Sequence, residues 1–131
     1  MTEVFDMEKK TLSESEWVIL AELWENEPQT ITQLVASLRE KTGWSKSTVI
    51  TFLKRMEEKG AVAYKRKENA KQYYSVLKRK EAAVPETKSF LKRLYNGSLS
   101  MMMNSLIEQN ALSEDDISEL YGILKKAKEG E

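Results

Sequence analysis

Apolar side chains recur every three or four positions between about residues 17 and 38, which is the spacing of one face of a helix. Two capping boxes divide this pattern. Ser13 with Glu16 begins one helix, and Thr30 with Gln33 begins a second. Pro28 lies between them and ends the first helix, because proline has no amide hydrogen to continue the helical ladder. The sequence therefore predicts two successive helices.

The second helix is predicted to run to about Lys41, and Gly43 then allows a turn with a positive φ. A third helix is predicted from Ser45, its N-cap, to Gly60. Its apolar residues fall at positions i, i+3, i+4 and i+7, which places them on one face. These residues are Val49, Phe52, Leu53 and Met56.

The opposite face of the third helix carries hydroxyl groups and cations, which are the groups that contact base edges and phosphates in DNA. The candidates for DNA binding on this helix are Lys46, Ser47, Thr48, Thr51, Lys54 and Arg55. Alternating apolar and polar residues between about 61 and 77 predict a β-hairpin next. Its candidates for phosphate contact are Lys65, Arg66, Lys67 and Lys71. A helix followed by a basic hairpin is typical of a winged helix-turn-helix, so we predict a mainly α fold with a small β-hairpin wing.

After Leu77 the pattern changes to three short helices within about residues 85–128, the first beginning at Pro85, because proline is favoured in a first helical turn. Each helix has a wide apolar face. The residues of these faces include Phe90, Leu94, Leu99, Met102, Met103, Leu106, Ile117, Leu120, Tyr121 and Leu124. Short helices need packing partners in water, and pairing two chains about a two-fold axis provides them.

We therefore predict a winged helix-turn-helix DNA-binding domain at residues 1–77 and a helical dimerisation region at residues 78–131. The alternative is that the C-terminal helices fold back onto their own domain as part of a monomeric core. Burial of apolar surface favours either arrangement, so the sequence leaves both open.

Charge is distributed unevenly although the net charge of the chain is zero. Residues 1–40 contain three cations and nine acids, whereas residues 41–80 contain twelve cations and three acids, a net charge of +9. Residues 81–131 have a net charge of −3. The positive charge thus coincides with the predicted helix and wing, and the local potential, rather than the total charge, governs binding to DNA.

The composition contains no cysteine and no histidine. Disulfides and thiolate or imidazole metal sites are therefore excluded, and we expect neither a metal nor another cofactor. Most nucleophile–base pairs of enzymes also need one of these residues, so catalysis is not expected. No apolar run reaches the length of a membrane span, and we expect a cytoplasmic protein.

Several segments together resemble the BlaI/MecI/CopY-type penicillinase repressor family over about residues 12–128. They are Leu12–Trp17, Leu23-Trp24, Trp44-Ser45, Thr48-Val49, Leu53–Gly60 and Gln72–Tyr74. The resemblance implies a dimeric bacterial repressor of antibiotic-resistance or metal-homeostasis genes. It also implies a palindromic DNA operator, typically with TACA and TGTA halves.

The resemblance also implies a mechanism of release. In the beta-lactam branch of the family, a sensor-linked protease leads to cleavage in the C-terminal helices, and the corresponding bond here is Asn104–Ser105. Relatives usually have phenylalanine after this asparagine, so Asn104 is equally interpreted as a polar residue on a helix surface. The copper branch uses a C-terminal cysteine cluster, which this chain lacks.

Ile50 occupies a position where many relatives have arginine. Two interpretations stay open for it: a half-buried residue at the edge of the apolar face, or an apolar contact to a thymine methyl group. For the whole chain, the rival function is a winged helix that binds a partner protein through the same face.

Overall fold

The computed structural model describes residues 11–130, and in this range the fold is mainly α with one antiparallel hairpin, as predicted. In chain order the elements are α1 (Glu14–Glu25), α2 (Ile31–Ser37), α3 (Arg39–Thr42), α4 (Lys46–Lys59), β1 (Val62–Lys67), β2 (Ala70–Ser75), α5 (Arg79–Tyr95), α6 (Leu99–Glu108) and α7 (Glu114–Lys128). The order of four helical segments, of which α3 is a single turn, followed by a hairpin is that of a winged helix-turn-helix.

The chain divides into two compact units, one ending at Pro85 and the other beginning at Glu86. The division lies within α5, whose first residues belong to the winged-helix unit. The boundary at residues 77 and 78 that the sequence suggested concerns function, and it stays a prediction.

Both predicted capping boxes are present in the first unit. The Ser13 hydroxyl accepts from the Glu16 amide while the Glu16 carboxylate accepts from the Ser13 amide, and Thr30 and Gln33 make the same reciprocal pair. Each pair satisfies two amides that have no partner within the helix. The starts of α1 and α2 are therefore determined by local sequence.

The second predicted helix differs from the observed structure, because it is interrupted at Leu38. This residue adopts φ −96° and ψ 1°, which ends α2 and begins the single turn of α3. Leu34 and Leu38 are both buried, so their helical spacing persists across the break. The apolar pattern alone could not reveal it.

The core of the first unit lies between α1, α2, α4 and the hairpin. Its largest fully buried apolar side chains are Ile19, Leu20, Leu23, Leu34, Leu38, Val49, Leu53 and Met56. Trp17, Trp24 and Trp44 are half-buried and pack against this core. The indole N–H of Trp24 donates to the carbonyl of Leu77 at 2.9 Å, which ties α1 to the segment that follows the hairpin.

The predicted start of the first C-terminal helix at Pro85 is wrong: α5 begins at Arg79, and Pro85 lies inside it. Contacts within the first unit explain the earlier start. The Lys78 amide donates to the Glu81 carboxylate at 2.9 Å, Arg79 pairs with Glu25 at 2.6 Å, and Ala82 is buried. These interactions hold the turns of α5 that precede Pro85, although the proline removes one helical hydrogen bond.

In the second unit, α6 and α7 begin at serine caps. The Ser98 hydroxyl accepts from the Met101 amide, and Ser113 forms a capping box with Asp116. Between α5 and α6 the chain turns at Asn96 and Gly97, which have positive φ values of 52° and 79°. Within residues 11–130, no helix is long and apolar enough to cross a membrane.

Candidate nucleic-acid interface

Helix α4 is held by one face and presents the other to solvent. Val49, Leu53 and Met56 are fully buried in the core. All six DNA-binding candidates of the helix lie away from this buried face. Lys46, Ser47, Thr51, Lys54 and Arg55 are exposed, and Thr48 is half-buried. The two ends of α4 are Ser45, whose hydroxyl accepts from the Thr48 amide, and Gly60, at φ 81°.

The hydroxyl groups at the start of α4 bond mainly to one another and to the helix backbone. The Ser45 hydroxyl lies 3.1 Å from that of Ser47 and 3.0 Å from that of Thr48. The Thr51 hydroxyl donates to the Ser47 carbonyl at 3.0 Å. These groups retain lone pairs that can accept hydrogen bonds, but most of their protons are already used.

Ile50 is 42% exposed and lies on the solvent side of α4. In a helix, residues three and four positions apart are neighbours, so Ile50 lies beside Ser47 and Lys54. It therefore belongs to the same surface as the DNA-binding candidates, a placement that the apolar pattern of the sequence left open.

The register of the hairpin separates the four wing cations into two pairs. Arg66 is opposite Lys71, whereas Lys65 is opposite Gln72 and Lys67 is opposite Ala70. Because side chains alternate between the faces of a strand, Arg66 and Lys71 share the inner face, defined here as the face of the buried Tyr73. Lys65 and Lys67 lie on the outer face.

On the inner face, Tyr73 connects the wing to α4. Its hydroxyl donates to the Glu57 carboxylate at 3.3 Å. Burial and the negative charge of Glu57 raise the pKa of Tyr73 to about 12, so the phenol stays protonated and remains a donor at neutral pH. The Lys71 ammonium lies 4.4 Å from the ring centre of Tyr64, a cation–π contact that holds this cation against the wing.

The outer face borders a groove of about 380 Å³, which sequence reasoning did not identify. Its lining includes Pro28, Lys65, Lys67, Gln72, Tyr74 and Lys78. Glu27 also lines the groove, but its carboxylate accepts from the Ser75 amide at 2.6 Å and hydroxyl at 3.1 Å, and lies 3.7 Å from the Lys78 ammonium. The lysines outnumber the acid, so this side of the wing is also positively charged.

Lys59, the last residue of α4, serves the fold rather than the interface. Its ammonium pairs with the buried Glu16 carboxylate at 2.5 Å and donates to the Thr11 carbonyl at 2.9 Å. Burial alone would raise the pKa of Glu16, but the hydrogen bonds from Lys59 and Ser13 outweigh it and lower that pKa. The pair fixes the end of α4 to the start of α1.

The sequence model of the penicillinase repressor family matches residues 12–126. This chain belongs to the penicillinase repressor family. The family consists of transcriptional repressors, so the chain is a transcriptional repressor and not an enzyme. The resemblance seen in the sequence is thereby confirmed.

Two relatives align with most of this chain. The methicillin resistance regulatory protein MecI of Staphylococcus aureus (strain N315) is 27% identical over 122 residues, covering 92% of this chain and 99% of its own. The penicillinase repressor of Bacillus licheniformis is 28% identical over 117 residues, covering 89% of this chain and 91% of its own.

Solved structures support the fold assignment. The solution structure of the DNA-binding domain of the repressor BlaI has a TM-score of 0.50 at 19% identity, covering 55% of this chain and 88% of that domain. The wild-type MarR of E. coli has a TM-score of 0.51 at 16% identity, covering 92% and 82% of the two chains. At these identities the likeness establishes the winged-helix fold alone.

The second unit of this family member exposes a large part of its apolar surface. Of the predicted dimerisation residues, Phe90, Leu94, Leu99, Ile117, Tyr121 and Leu124 are exposed, and Met102, Met103, Leu106 and Leu120 are half-buried. Sequence reasoning missed Met101 and Ile123, which are also exposed. No residue of α6 or α7 is buried, although both helices have apolar side chains suited to burial.

The predicted cleavage residues lie inside α6, where Asn104 is exposed and Ser105 is half-buried. Among residues 11–130, no cluster of three or more acidic side chains has the geometry to hold a metal ion.

Proposed function

We propose that this chain is a dimeric transcriptional repressor that inserts α4 into the major groove of a palindromic DNA operator. One observation carries the proposal. The face of α4 opposite the core displays hydroxyls and cations to solvent, and the next element is a hairpin with four cations. A helix of about 10–12 Å diameter fits the major groove, where each base pair presents a distinct pattern of groups.

The side chains of α4 have separate roles in this proposal. Ser47, Thr48 and Thr51 lie in the N-terminal half of the helix, which contacts base edges in helix-turn-helix proteins. Lys54 and Arg55 are longer and reach phosphates, or a guanine in the case of Arg55. Lys46 neutralises a phosphate near the helix N-terminus, where unpaired amides favour an anion.

The wing binds the flanking DNA backbone. Lys65, Arg66, Lys67 and Lys71 emerge from both faces of the hairpin, so the wing offers positive charge on either side. Contacts of cations to phosphates release counterions, and the affinity from these contacts therefore falls as salt rises.

The C-terminal helices hold two copies together. Helices α6 and α7 expose seven large apolar side chains within the described residues, and apolar patches on a protein surface mark interaction sites. A second copy of the same segment covers such a patch with a complementary apolar surface about a two-fold axis. Two-fold symmetry of the protein then requires a palindromic operator.

The repressor acts in the cytoplasm. Its operator controls an antibiotic-resistance gene, in keeping with the names of the MecI and penicillinase repressor relatives. Release follows cleavage of the Asn104–Ser105 bond by a sensor-linked protease. A cut within α6 separates α7 from the rest of the chain and removes its share of the apolar surface, so the dimer dissociates and leaves the operator.

A salt titration of the full-length protein tests the proposal. Binding to two fluorescent duplexes is measured by anisotropy: one selected by the protein from a random library, and one with the same composition in scrambled order. We expect the logarithm of the affinity to fall linearly with the logarithm of the salt concentration for both, with tighter binding to the selected duplex.

The variant Lys67→Ala removes the cation that neutralises one phosphate per subunit in this proposal. It should weaken binding to both duplexes by the same factor and flatten the salt slope by about one for each phosphate that is no longer neutralised. Lys88→Ala removes an exposed lysine of α5 and serves as the matched control, with an unchanged slope. Absence of salt-sensitive binding to either duplex would instead favour the protein-interaction module.

A further inference from the structure

Ile50 is an apolar side chain on an otherwise polar and cationic surface. Among the described residues up to Pro85, only Ile50 and Val84 are large apolar side chains that are clearly exposed. Val84 lies on α5, whereas Ile50 lies in the second turn of α4. The fully buried residues of α4 are Val49, Leu53 and Met56, so Ile50 lies outside the part of the helix that forms the core.

The hydroxyl groups around Ile50 have little capacity left to donate hydrogen bonds. The Thr51 proton is used by the Ser47 carbonyl. The hydroxyls of Ser45, Ser47 and Thr48 share two oxygen–oxygen contacts. Those two contacts use two of their three protons.

The hydroxyl-bearing residues around Ile50 therefore offer mainly methyl groups and acceptor oxygens, and the donor beside them is the ammonium group of Lys54. With its hydroxyl turned back onto the helix, Thr51 retains its methyl group as its other contact surface. Ile50 is the adjacent residue and adds its own methyl groups. In the major groove, thymine is the base that offers a methyl group, at C5.

We propose that Ile50 and the methyl group of Thr51 form one apolar contact that selects thymine in each half of the operator. The inference rests on the proposed function, because it requires α4 to lie in the major groove. It assigns to Ile50 a role in specificity, and to Thr51 a contact through its methyl group in place of a donated hydrogen bond.

Replacing thymine by deoxyuridine tests the contact, since the two bases differ only by the C5 methyl group. The protein first selects a tight-binding duplex from a random library, and each thymine is then replaced singly. For the wild-type chain, we expect about a fourfold loss of affinity at one or two thymines per half-site, as for one buried methyl group. The Ile50→Ala variant should bind more weakly and should lose its discrimination at a thymine that the wild-type chain discriminates.

Two further variants separate the methyl group from the hydroxyl of Thr51. Thr51→Val keeps the methyl shape and should retain discrimination, whereas Thr51→Ser keeps the hydroxyl and should reduce it. Val84→Ala is the matched control for loss of an exposed apolar side chain, and its ratio of affinities for thymine and deoxyuridine should equal that of the wild-type chain. Thermal unfolding followed by circular dichroism checks that each variant is folded.

The result that overturns the inference is an unchanged ratio in Ile50→Ala at every thymine, or no effect of deoxyuridine on the wild-type chain. Either result leaves salt-dependent duplex binding intact, so it is distinguishable from failure of the proposed function. If no duplex binds in a salt-sensitive manner, the proposed function and this inference fail together.

Discussion

The buried Glu16 carboxylate accepts one hydrogen bond from Ser13, the cap of its own helix, and another from Lys59 at the end of α4. The Ser13 amide donates to it at 2.9 Å, and the Lys59 ammonium lies at 2.5 Å. The capping role was evident from the sequence, because Ser13 and Glu16 are three residues apart. The pairing with Lys59 was not, since it joins residues that are 43 positions apart and depends on how α4 packs on α1.

Glu16→Gln should therefore lower the free energy of unfolding by about 1–2 kcal/mol at pH 7, because it removes a charge-assisted hydrogen bond from a buried site. The pKa of Glu16 is lowered in the folded chain, so the ionised pair contributes its stability above the ordinary value of 4.5. That contribution is lost as the pH falls through the folded pKa.

Denaturant unfolding at pH 7 and at about pH 3 measures this effect. The stability difference between the wild-type chain and Glu16→Gln should shrink at the lower pH. Glu14→Gln, at an exposed position of the same helix turn, is the control and should change little at either pH. An undiminished difference at low pH would show that the Glu16 charge is not the source of the stability.

The hydrogen bonds of individual side chains also limit what α4 can recognise. The sequence identified Ser47, Thr48 and Thr51 as hydroxyl-bearing candidates, and the structure places Ser47 and Thr51 in solvent with Thr48 half-buried. The sequence did not show that their protons serve one another and the helix backbone. That arrangement depends on rotamers, which the spacing of residues does not specify.

At the scale of elements, the helix starts predicted from the sequence agree with the structure where local hydrogen bonds determine them. The caps at Ser13, Thr30 and Ser45 depend on side chains within three residues. The start of α5 differs from the prediction, because Arg79 pairs with Glu25 of α1 and Ala82 is buried in the core, which extends the helix ahead of Pro85.

Helix α6 bears on the proposed release. Asn104 and Ser105 are helical, with six residues of α6 up to and including Asn104 and four after it. Proteases bind their substrates as extended chains, so cleavage of this bond requires α6 to open locally. Within one chain α6 has no buried residue, so in the proposed dimer the contact with the second copy is what local opening of α6 must overcome.

During exposure of the host to a beta-lactam, we expect intact-mass measurements to detect fragments that end at Asn104 and begin at Ser105. Asn104→Ala should abolish these fragments, because it removes the side chain that precedes the cleaved bond. Ser100→Ala, at an exposed site of the same helix, should leave cleavage unchanged. Release of repression with the chain still intact would contradict the proteolytic mechanism.

At the scale of the whole molecule, the exposed apolar residues of the second unit are the main feature without a role inside one chain. Leu124 is 65% exposed and Tyr121 is 73% exposed on α7. A sequence shows that a helix has an apolar face, but not whether that face is covered by the same chain. These residues are exposed in the second unit, and the two-fold dimer is our proposal for their partner.

Leu124→Asp should therefore convert dimers to monomers in sedimentation velocity experiments, because a carboxylate in an apolar interface loses its hydration without gaining a partner. Operator affinity should fall as well, since each monomer binds one half-site only. Ser118→Asp adds the same charge at an exposed polar position of α7 and should remain dimeric. If Leu124→Asp remains fully dimeric, the interface lies elsewhere.

The sequence by itself determined the order of helices and hairpin, the caps, the cationic segment and the family, because each depends on local spacing or on the identity of residues. Tertiary structure decided the break at Leu38, the early start of α5, the pairing of Glu16 with Lys59 and the division of the wing cations between two faces. These features depend on distant residues meeting in space, and helical or strand periodicity carries no information about such meetings.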